Sequence, residues 1–494
     1  MRTPRVTVIG GGAGGLAATI DLARAGAAVT VVERAPSVGG KLRQSIVNGA
    51  GIDAGPTVLT MRWVFDGLFR DAGVTLGDHL TLHPIDLLAR HAWSGNETLD
   101  LFTDIDQSAD AFARFAGPAE AAGYRSFCAR AQRVYQTLEG PFMRAPRPTA
   151  LSLAKSTSVS AMWGISPFAT LWKALGEHFR DERLRQLFGR YATYSGSSPF
   201  QAPATLMLIA HVEQQGVWLV EGGMVRLAEA LAGLAERQGA VVRRDAAVAE
   251  ISVRNGHTTG VVLAGGERIE SDAIVCNADV GALATGLFGR AVTGAAPLPK
   301  REDRSLSAVT WAMAARTEGF GLTRHNVFFS RDYKAEFDDI GRGRLPGEPT
   351  VYVCAQDRGE PGAQPDGGAE RLLVLVNAPP NGDRREFTSM EIEQCATRTF
   401  GVLQRCGLTV HRRPDATVVT TPAMFERLFP ATGGALYGQA VHGSMAAFRR
   451  PGSRSAIANL YLAGGSVHPG PGVPMAVLSG RLAASSLLQD LVSR

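Results

Sequence analysis

Five cysteines in 494 residues (Cys128, Cys276, Cys354, Cys395 and Cys406) are odd in number and include no C-x-x-C pair. They supply neither a disulfide framework nor a zinc knuckle, and a reducing compartment is the inference. Basic residues are not clustered: the net charge of +5 and pI of about 9.1 are spread along the chain without a Lys/Arg run, which argues against a nucleic-acid binder. Residues 156–172 carry no charge but are serine-rich and interrupted by Pro167, short of the roughly 20 apolar residues that a membrane span needs. His79 and His83 stand four apart with no third ligand at a sensible spacing, so no metal site is expected. No Ser/His/Asp set and no carboxylate pair can be placed together, and no internal repeat is found. The first strand starts almost at the N-terminus, leaving no room for a leader; a cytosolic-side protein is expected.

What is present is an ordinary globular composition, 45% apolar and 20% charged with a mean hydropathy of zero. The length allows two or three domains at roughly 150 residues each. The first thirty-three residues carry the strongest signal. Arg5 to Ile9 reads as a strand, Gly10, Gly12 and Gly15 make G-x-G-x-x-G, Leu16 to Ala25 continues as a helix closed by Gly26, and Val29 to Val32 is a return strand ending in Glu33. Gly10 permits the tight turn, Gly12 lets backbone approach a pyrophosphate, and Gly15 lets helix and strand pack closely. The helix N-terminus offers free N–H groups and partial positive charge to phosphates. Glu33 can accept from ribose hydroxyls and would repel a 2′-phosphate, which argues against NADP.

Farther along, Gly39-Gly40-Lys41 is a second glycine site, followed by Ile52-Asp53-Ala54-Gly55-Pro56-Thr57; both read as loops returning to the first sheet. Residues 62–216 are richer in helical periodicity. Nucleotide-domain character resumes near Val217, with an amphipathic helix from Met224 to Arg237. Strands at Val241–Arg243, Val248–Val253, Thr258–Leu263 and Ser271–Cys276 follow, joined by the hairpin signals Asn255-Gly256 and Gly265-Gly266. The tail holds a buried strand, Asn459 to Ala463, then Gly464-Gly465, and a final helix from Met475 to Leu491. One nucleotide domain is thus assembled from separated pieces, and glycine loops at both chain ends suit FAD, held along its full length, better than NAD.

Gly10 to Gly15, Glu33, Gly39-Gly40-Lys41 and the block Tyr461-Leu462-Ala463-Gly464-Gly465-Ser466-Val467-His468-Pro469-Gly470 together resemble the bacterial-type phytoene and carotenoid desaturases, in the same superfamily as the amine oxidases. The stretches Phe188 to Phe200, with Tyr191 and Tyr194, and Gly216 to Met224 resemble the branch that desaturates 1-hydroxy or 1-methoxy carotenoids at C3–C4. The resemblance implies an α/β protein: a split Rossmann-like FAD-binding domain of amine-oxidase type (residues 1–61, 217–290 and 456–494), a largely helical, membrane-associating substrate region (62–216) and a mixed α+β substrate domain (291–455). It implies FAD held by Gly10, Gly12, Ala13, Gly14 and Gly15 at the pyrophosphate, by Glu33 at the ribose with Arg34, Gly40 and Lys41 nearby, by Val248 at the adenine, and by Gly464, Gly465, Gly472, Val473 and Pro474 under the ribityl chain and isoalloxazine. Pro56 and Thr57 belong to the loop expected near the flavin. Many relatives carry an acid just after the Ala-Gly pair, where this chain has Gly465-Ser466.

Removing two hydrogens beside a polyene needs a two-electron acceptor, which oxidised flavin is. The charge left behind is delocalised over the conjugated chain, so few conspicuous catalytic residues are expected. His468 is the one candidate, and a brace for the Pro-Gly turn is the competing role. Asp53 and Thr57 either approach the flavin or cap loops; Tyr191 and Tyr194 either line a polyene tunnel, where they could meet a terminal hydroxyl, or pack a core. A carotenoid must be collected from a bilayer, and the acid-free stretch Gly140 to Gly176, with Arg144, Arg147, Lys155 and Lys173 around Met162, Trp163, Phe168, Leu171 and Trp172, has the composition of an interfacial anchor. Monotopic attachment to the cytoplasmic face of the inner (photosynthetic) membrane is expected, with oxygen or a quinone as electron acceptor. The competing functions are a phytoene or neurosporene desaturase, an FAD amine oxidase, and a non-catalytic escort of the same fold that binds isoprenoid-modified partners.

Overall fold

The N-terminal unit is a strand, β1 (Arg5–Ile9), a helix, α1 (Ala13–Arg24), and a second strand, β2 (Ala28–Val32). These come from a computed structural model that describes residues 3–95, 97–156, 168–359 and 368–493. The helix starts three residues earlier than its apolar pattern suggests, because Gly14 and Gly15 lie inside its first turn. β1 and β2 pair in parallel and are flanked by Val241–Arg243 on one side and by Ala273–Cys276, then Leu460–Leu462, on the other. Segments far apart in sequence therefore build one five-stranded parallel sheet. Its strands are nearly continuous apolar runs, as burial on both faces requires.

Two helices cover one face beside α1: Val225–Arg237 and the C-terminal Val473–Val492. The contact between α1 and the C-terminal helix is made by glycine. A Cβ on Gly480 would lie 2.0 Å from the carbonyl oxygen of Gly14, and a Cβ on Gly14 would lie 2.8 Å from that of Ala476. Gly15 packs inward, where a Cβ would meet Gly10 O at 2.1 Å. That is the close helix–strand approach expected of the third motif glycine.

The second large sheet has strands in the order Leu408–His411, Ser307–Gly319, Glu370–Ala378, Val351–Ala355, His325–Phe328, Leu87–Ala92 and Thr98–Phe102, with Thr417–Thr420 also paired to Ser307–Gly319. Leu87–Ala92 and Thr98–Phe102 come from the region read as largely helical; they pair with each other, and Leu87–Ala92 also pairs in parallel with His325–Phe328, more than 200 residues away. Their sequence, LLARHA and TLDLF, alternates too briefly to mark them against the helical periodicity around them. Ile52 and Asp53, the start of a stretch read as a loop returning to the first sheet, instead end the strand Ala50–Asp53, which forms a separate hairpin with Gln44–Val47 turned by Asn48 and Gly49, both at positive φ. Val217–Val220 is the central strand of a separate three-stranded sheet, between Leu59–Thr60 and Leu82–Pro84. The Asn255-Gly256 hairpin is present, with φ of 53° and 78°, the left-handed pair of a type I′ turn.

Helices Pro118–Leu138 and Glu182–Gly189 pack around Phe112, Tyr124, Phe127, Phe179 and Phe188, an aromatic core separate from that of the parallel sheet. Among the described residues no helix is long and apolar enough to cross a membrane.

Candidate functional site

One cavity of about 1480 Å³ runs from the glycine turn of β1–α1 to the aromatic core of the helical region. Drug-sized ligand sites are roughly 300–1,000 Å³, so this volume suits a cofactor and a substrate together. It divides into a polar and an apolar part.

The polar part lies at the carboxyl ends of β1 and β2. Gly10 turns at a φ of +93° and donates its N–H to Val32 O at 2.9 Å. Gly12 and Gly14, with Ala13 between them, then present the open first turn of α1 to the cavity. The second glycine pair locks onto the first: Gly39 N donates to Gly11 O at 2.8 Å, and a Cβ on Gly39 would meet Leu42 O at 2.5 Å. Gly40 and Lys41 thereby face the same space. Burial pulls the Lys41 ammonium below its usual range, and its Nζ donates to Leu436 O. Glu33, 8% exposed, accepts from Gly11 N at 2.8 Å and Ala35 N at 2.9 Å while its side chain stays on the cavity wall.

Arg34, Pro56, Thr57, Val248, Gly464, Gly465, Gly472, Val473 and Pro474 also line the cavity; Gly15 does not, being a packing residue. Gly55 holds the Pro56-Thr57 loop down on the second glycine site, since a Cβ there would sit 1.8 Å from Lys41 O. Asp53 is turned away: its carboxylate accepts from Met224 N at 2.7 Å and Gln44 Nε2 at 3.2 Å, which makes it a loop cap.

His468 does not reach the cavity wall. Its Nε2–H donates to Phe142 O at 2.9 Å, its ring stands edge-on to Phe142, and burial lowers its pKa to about 4. The catalytic candidacy of His468 is therefore withdrawn in favour of bracing the Pro469-Gly470 turn against the helical region. His79 and His83 also diverge. His79 faces Arg237 and His83 faces Glu221, and no group of metal-ligating side chains occurs among the described residues.

The sequence did not signal Asn277 or Arg450, and it marked Ser466 without showing its role. Asn277, just beyond the strand Ala273–Cys276, lies between the two glycine loops: its Nδ2 donates to Gly10 O at 3.3 Å, and its buried Oδ1 has no partner among the described residues. Arg450 lies 6% exposed on the wall and donates to the carbonyls of Gly465, Tyr437 and Gln439; burial lowers its pKa to about 10. Ser466 Oγ accepts from Val280 N, so the serine standing where relatives carry an acid holds the first N–H of the helix Val280–Ala284, which Asp279 caps. The acid on the wall in this neighbourhood is Asp279, whose charge acts on both Lys41 and Arg450.

The apolar part is walled by Leu138, Phe142, Met143, Leu187, Leu208 and Ile209 among others, and by Leu373 and Leu375 of the large sheet. Tyr191 and Tyr194 lie here on the short helical turn Arg190–Ser195. Tyr194 is 36% exposed, but that surface faces the cavity, and burial raises its phenol well above the usual range. Tyr191 donates to Glu213 at 2.6 Å, and burial raises the Glu213 carboxyl.

A parallel sheet with a glycine cradle at its carboxyl ends, opening into an apolar chamber under a second sheet, defines a flavin-dependent oxidoreductase. Residues 13–488 match the family described as flavin containing amine oxidoreductase, and the chain belongs to that family. Within it, the chain is 54% identical to the hydroxyneurosporene desaturase of Rubrivivax gelatinosus, over 100% of this chain and 95% of the relative. It is 46% identical to the hydroxyneurosporene desaturase of Cereibacter sphaeroides over 99% of both chains, and 30% identical to the phytoene desaturase of Fusarium fujikuroi over 98% and 89%. In fold it is similar to putrescine oxidase bound to putrescine (TM-score 0.62, 16% identity, 100% of each chain) and to cyclohexylamine oxidase of Brevibacterium oxydans (TM-score 0.58, 16% identity, 99% and 100%).

The cofactor is FAD, and the residues present fit it. Backbone N–H groups, glycines that leave no side chain in the cradle, an acid at the end of β2 and the orphaned Asn277 Oδ1 form a donor and acceptor set suited to phosphate, ribose and amide edges.

Proposed function

We propose that this enzyme is a carotenoid desaturase that introduces a C3–C4 double bond into acyclic 1-hydroxy or 1-methoxy carotenoids. The observation that carries the reading is 54% identity, over its whole length, to a protein named for hydroxyneurosporene. The chamber supports it: an extended, mostly apolar space suits a polyene, and the half-buried guanidinium of Arg190 on its wall would repel a protonated amine.

FAD supplies the two-electron oxidising chemistry, as a hydride acceptor. The protein's own part is positioning and exclusion of water. Leu373 and Leu375 come from a central strand of the large sheet, whereas Leu187, Leu208 and Ile209 come from the helices; between them these walls leave an elongated substrate little freedom to rotate. His91 on the same wall is neutral, its pKa lowered to about 3 by burial, so it adds no charge beside the polyene.

The substrate reaches this chamber from a membrane surface. Support comes from apolar side chains left in the open around the cavity: Phe168 is 85% exposed and Met445 46%, and both line it, while Leu151 nearby on the helix Ala150–Ser156 is 66% exposed. The basic residues Arg144, Arg147 and Lys155 flank them. Met162, Trp163 and Pro167 of the anchor sequence lie outside the described residues. Peripheral attachment to the cytoplasmic face of the inner membrane, and oxygen or a quinone as acceptor, complete the proposal.

The test is expression in cells that make either neurosporene or 1-hydroxyneurosporene, read by pigment absorption. A red shift only with the hydroxylated pigment is expected. Conversion of phytoene would overturn the assignment, and isolation without flavin would point to the escort function.

A further inference from the structure

The apolar chamber contains one polar cluster assembled from three parts of the chain. Arg190, on the turn after helix Glu182–Gly189, places its guanidinium over the Tyr194 ring at 5.4 Å and the Tyr352 ring at 5.1 Å. Its Nη1 donates to Tyr194 Oη at 3.3 Å, and no carboxylate among the described residues forms an ion pair with it. Tyr352 Oη stands 2.7 Å from Thr57 Oγ1 and 2.8 Å from His325 Nδ1. A consistent proton assignment has Thr57 donate to Tyr352 and Tyr352 donate to His325 Nδ1, which leaves the proton of the neutral ring on Nε2. Burial lowers the His325 pKa to about 3, so the ring stays neutral.

That His325 Nε2 is buried and finds no partner among the described residues, and the same is true of Tyr333 Oη; both residues line the cavity. An unsatisfied buried polar group costs roughly 1–3 kcal/mol, and a single ligand oxygen in the chamber would offer a partner to both. The N–H groups of Arg190 and His325 can only donate, and the Tyr333 hydroxyl can donate as well. The matching ligand atom is an oxygen acceptor, and on the carotenoid reading it is the neutral terminal oxygen of an otherwise apolar molecule. The carboxylate of this neighbourhood, Glu213, is engaged by Tyr191.

We propose that Arg190, His325 and Tyr333 bind the terminal oxygen of the polyene, as a tertiary alcohol or its methyl ether, and so set the substrate class. This rests on the carotenoid reading above and deepens it. Tyr352 and Thr57 act as positioning residues by fixing the His325 tautomer. Thr57 belongs to the loop packed on Lys41, so the cluster is tied to the cofactor side of the cavity as well as to the chamber. A donor-only set accepts alcohol and ether alike and leaves its donors unpaired against a hydrocarbon end, the kind of mismatch that gives strong discrimination.

The test is the ratio of dissociation constants for neurosporene and 1-hydroxyneurosporene, delivered in detergent micelles to the FAD-loaded enzyme and read by quenching of tryptophan fluorescence, with turnover recorded in parallel. The wild type should prefer the hydroxylated polyene by about tenfold or more. Arg190→Met, His325→Leu and Tyr333→Phe should each lower that ratio by roughly fivefold or more with FAD content unchanged. Tyr333→Phe removes only an unpaired oxygen and guards against misfolding. A ratio near one in the wild type, or an unchanged ratio in all three flavin-loaded variants, overturns the proposal. Preferential binding without turnover would sustain it and refute the desaturase assignment instead.

Discussion

Replacing Gly480 by alanine should loosen the cofactor cradle from a distance. Gly480 lies in the middle of the C-terminal helix Val473–Val492, where alanine would ordinarily be favoured over glycine by about 1 kcal/mol. Here the added Cβ would stand 2.0 Å from Gly14 O, 2.9 Å from Gly14 C and 3.0 Å from Ala18 N. All three are backbone atoms of α1, so no side chain can swing aside. The helices must part by the 1.0 Å that separates 2.0 Å from 3.0 Å, the shortest distance real Cβ contacts show.

Overpacking of a dense interior costs about 1–3 kcal/mol, and a clash with rigid backbone belongs at the upper end. The strain falls on the cradle, because the first turn of α1 carries Gly12 and Gly14 and the C-terminal helix begins at Val473 and Pro474, all on the cavity wall. A loss of about 3 kcal/mol is roughly a 100-fold weaker FAD affinity. Titration of apoprotein with FAD, alongside a thermal melt, measures both effects. Gly233 and Gly401 are matched controls. Each is mid-helix, with no atom within 4 Å of its added Cβ, so the same change should be neutral or stabilising by up to about 1 kcal/mol. If Gly480→Ala retains FAD and melts as the controls do, the tight helix contact is not what holds the cradle together.

Three further outcomes are expected. Glu33→Ala strips the acceptor from Gly11 N and Ala35 N and should weaken FAD roughly tenfold, by flavin release on dilution; unchanged affinity would exclude a role for Glu33 in the site. Burial raises the Glu336 carboxyl from 4.5 to about 7. Since this folded value lies above the unfolded one, protonation stabilises the fold fully below about pH 4.5, the contribution of about 3 kcal/mol declines between those values, and it is gone above about pH 7. Glu336→Gln should flatten that segment of the stability–pH curve, and an unaltered slope in denaturant titrations would contradict it. Finally, Leu151→Ser with Phe168→Ser removes two exposed apolar side chains worth about 1.5–3 kcal/mol each when buried, so liposome co-sedimentation should fall at least tenfold while activity in detergent persists. Equal sedimentation would place the membrane contact elsewhere.

The chain by itself determined what short-range physics controls. The glycine turn, the helix behind it and the return strand to Glu33 depend on backbone freedom and apolar spacing within thirty-three residues, and Asn255-Gly256 fixes its own hairpin through two left-handed residues. The aromatic pair Tyr191 and Tyr194 was visible for the same reason, as a local pattern. Tertiary structure alone decided what depends on distant partners. Leu87–Ala92 joins the second large sheet because His325–Phe328 offers it an edge, and His468 is a brace because Phe142 stands behind it. Asp53 turns from the cavity because Met224 N, 171 residues away, needs an acceptor. Arg190, His325, Tyr333, Tyr352 and Thr57 have no sequence signature as a group. Their chemistry exists only once burial has removed water and left Nε2 of one and Oη of another without partners, and burial is a property of the folded chamber rather than of any stretch of chain.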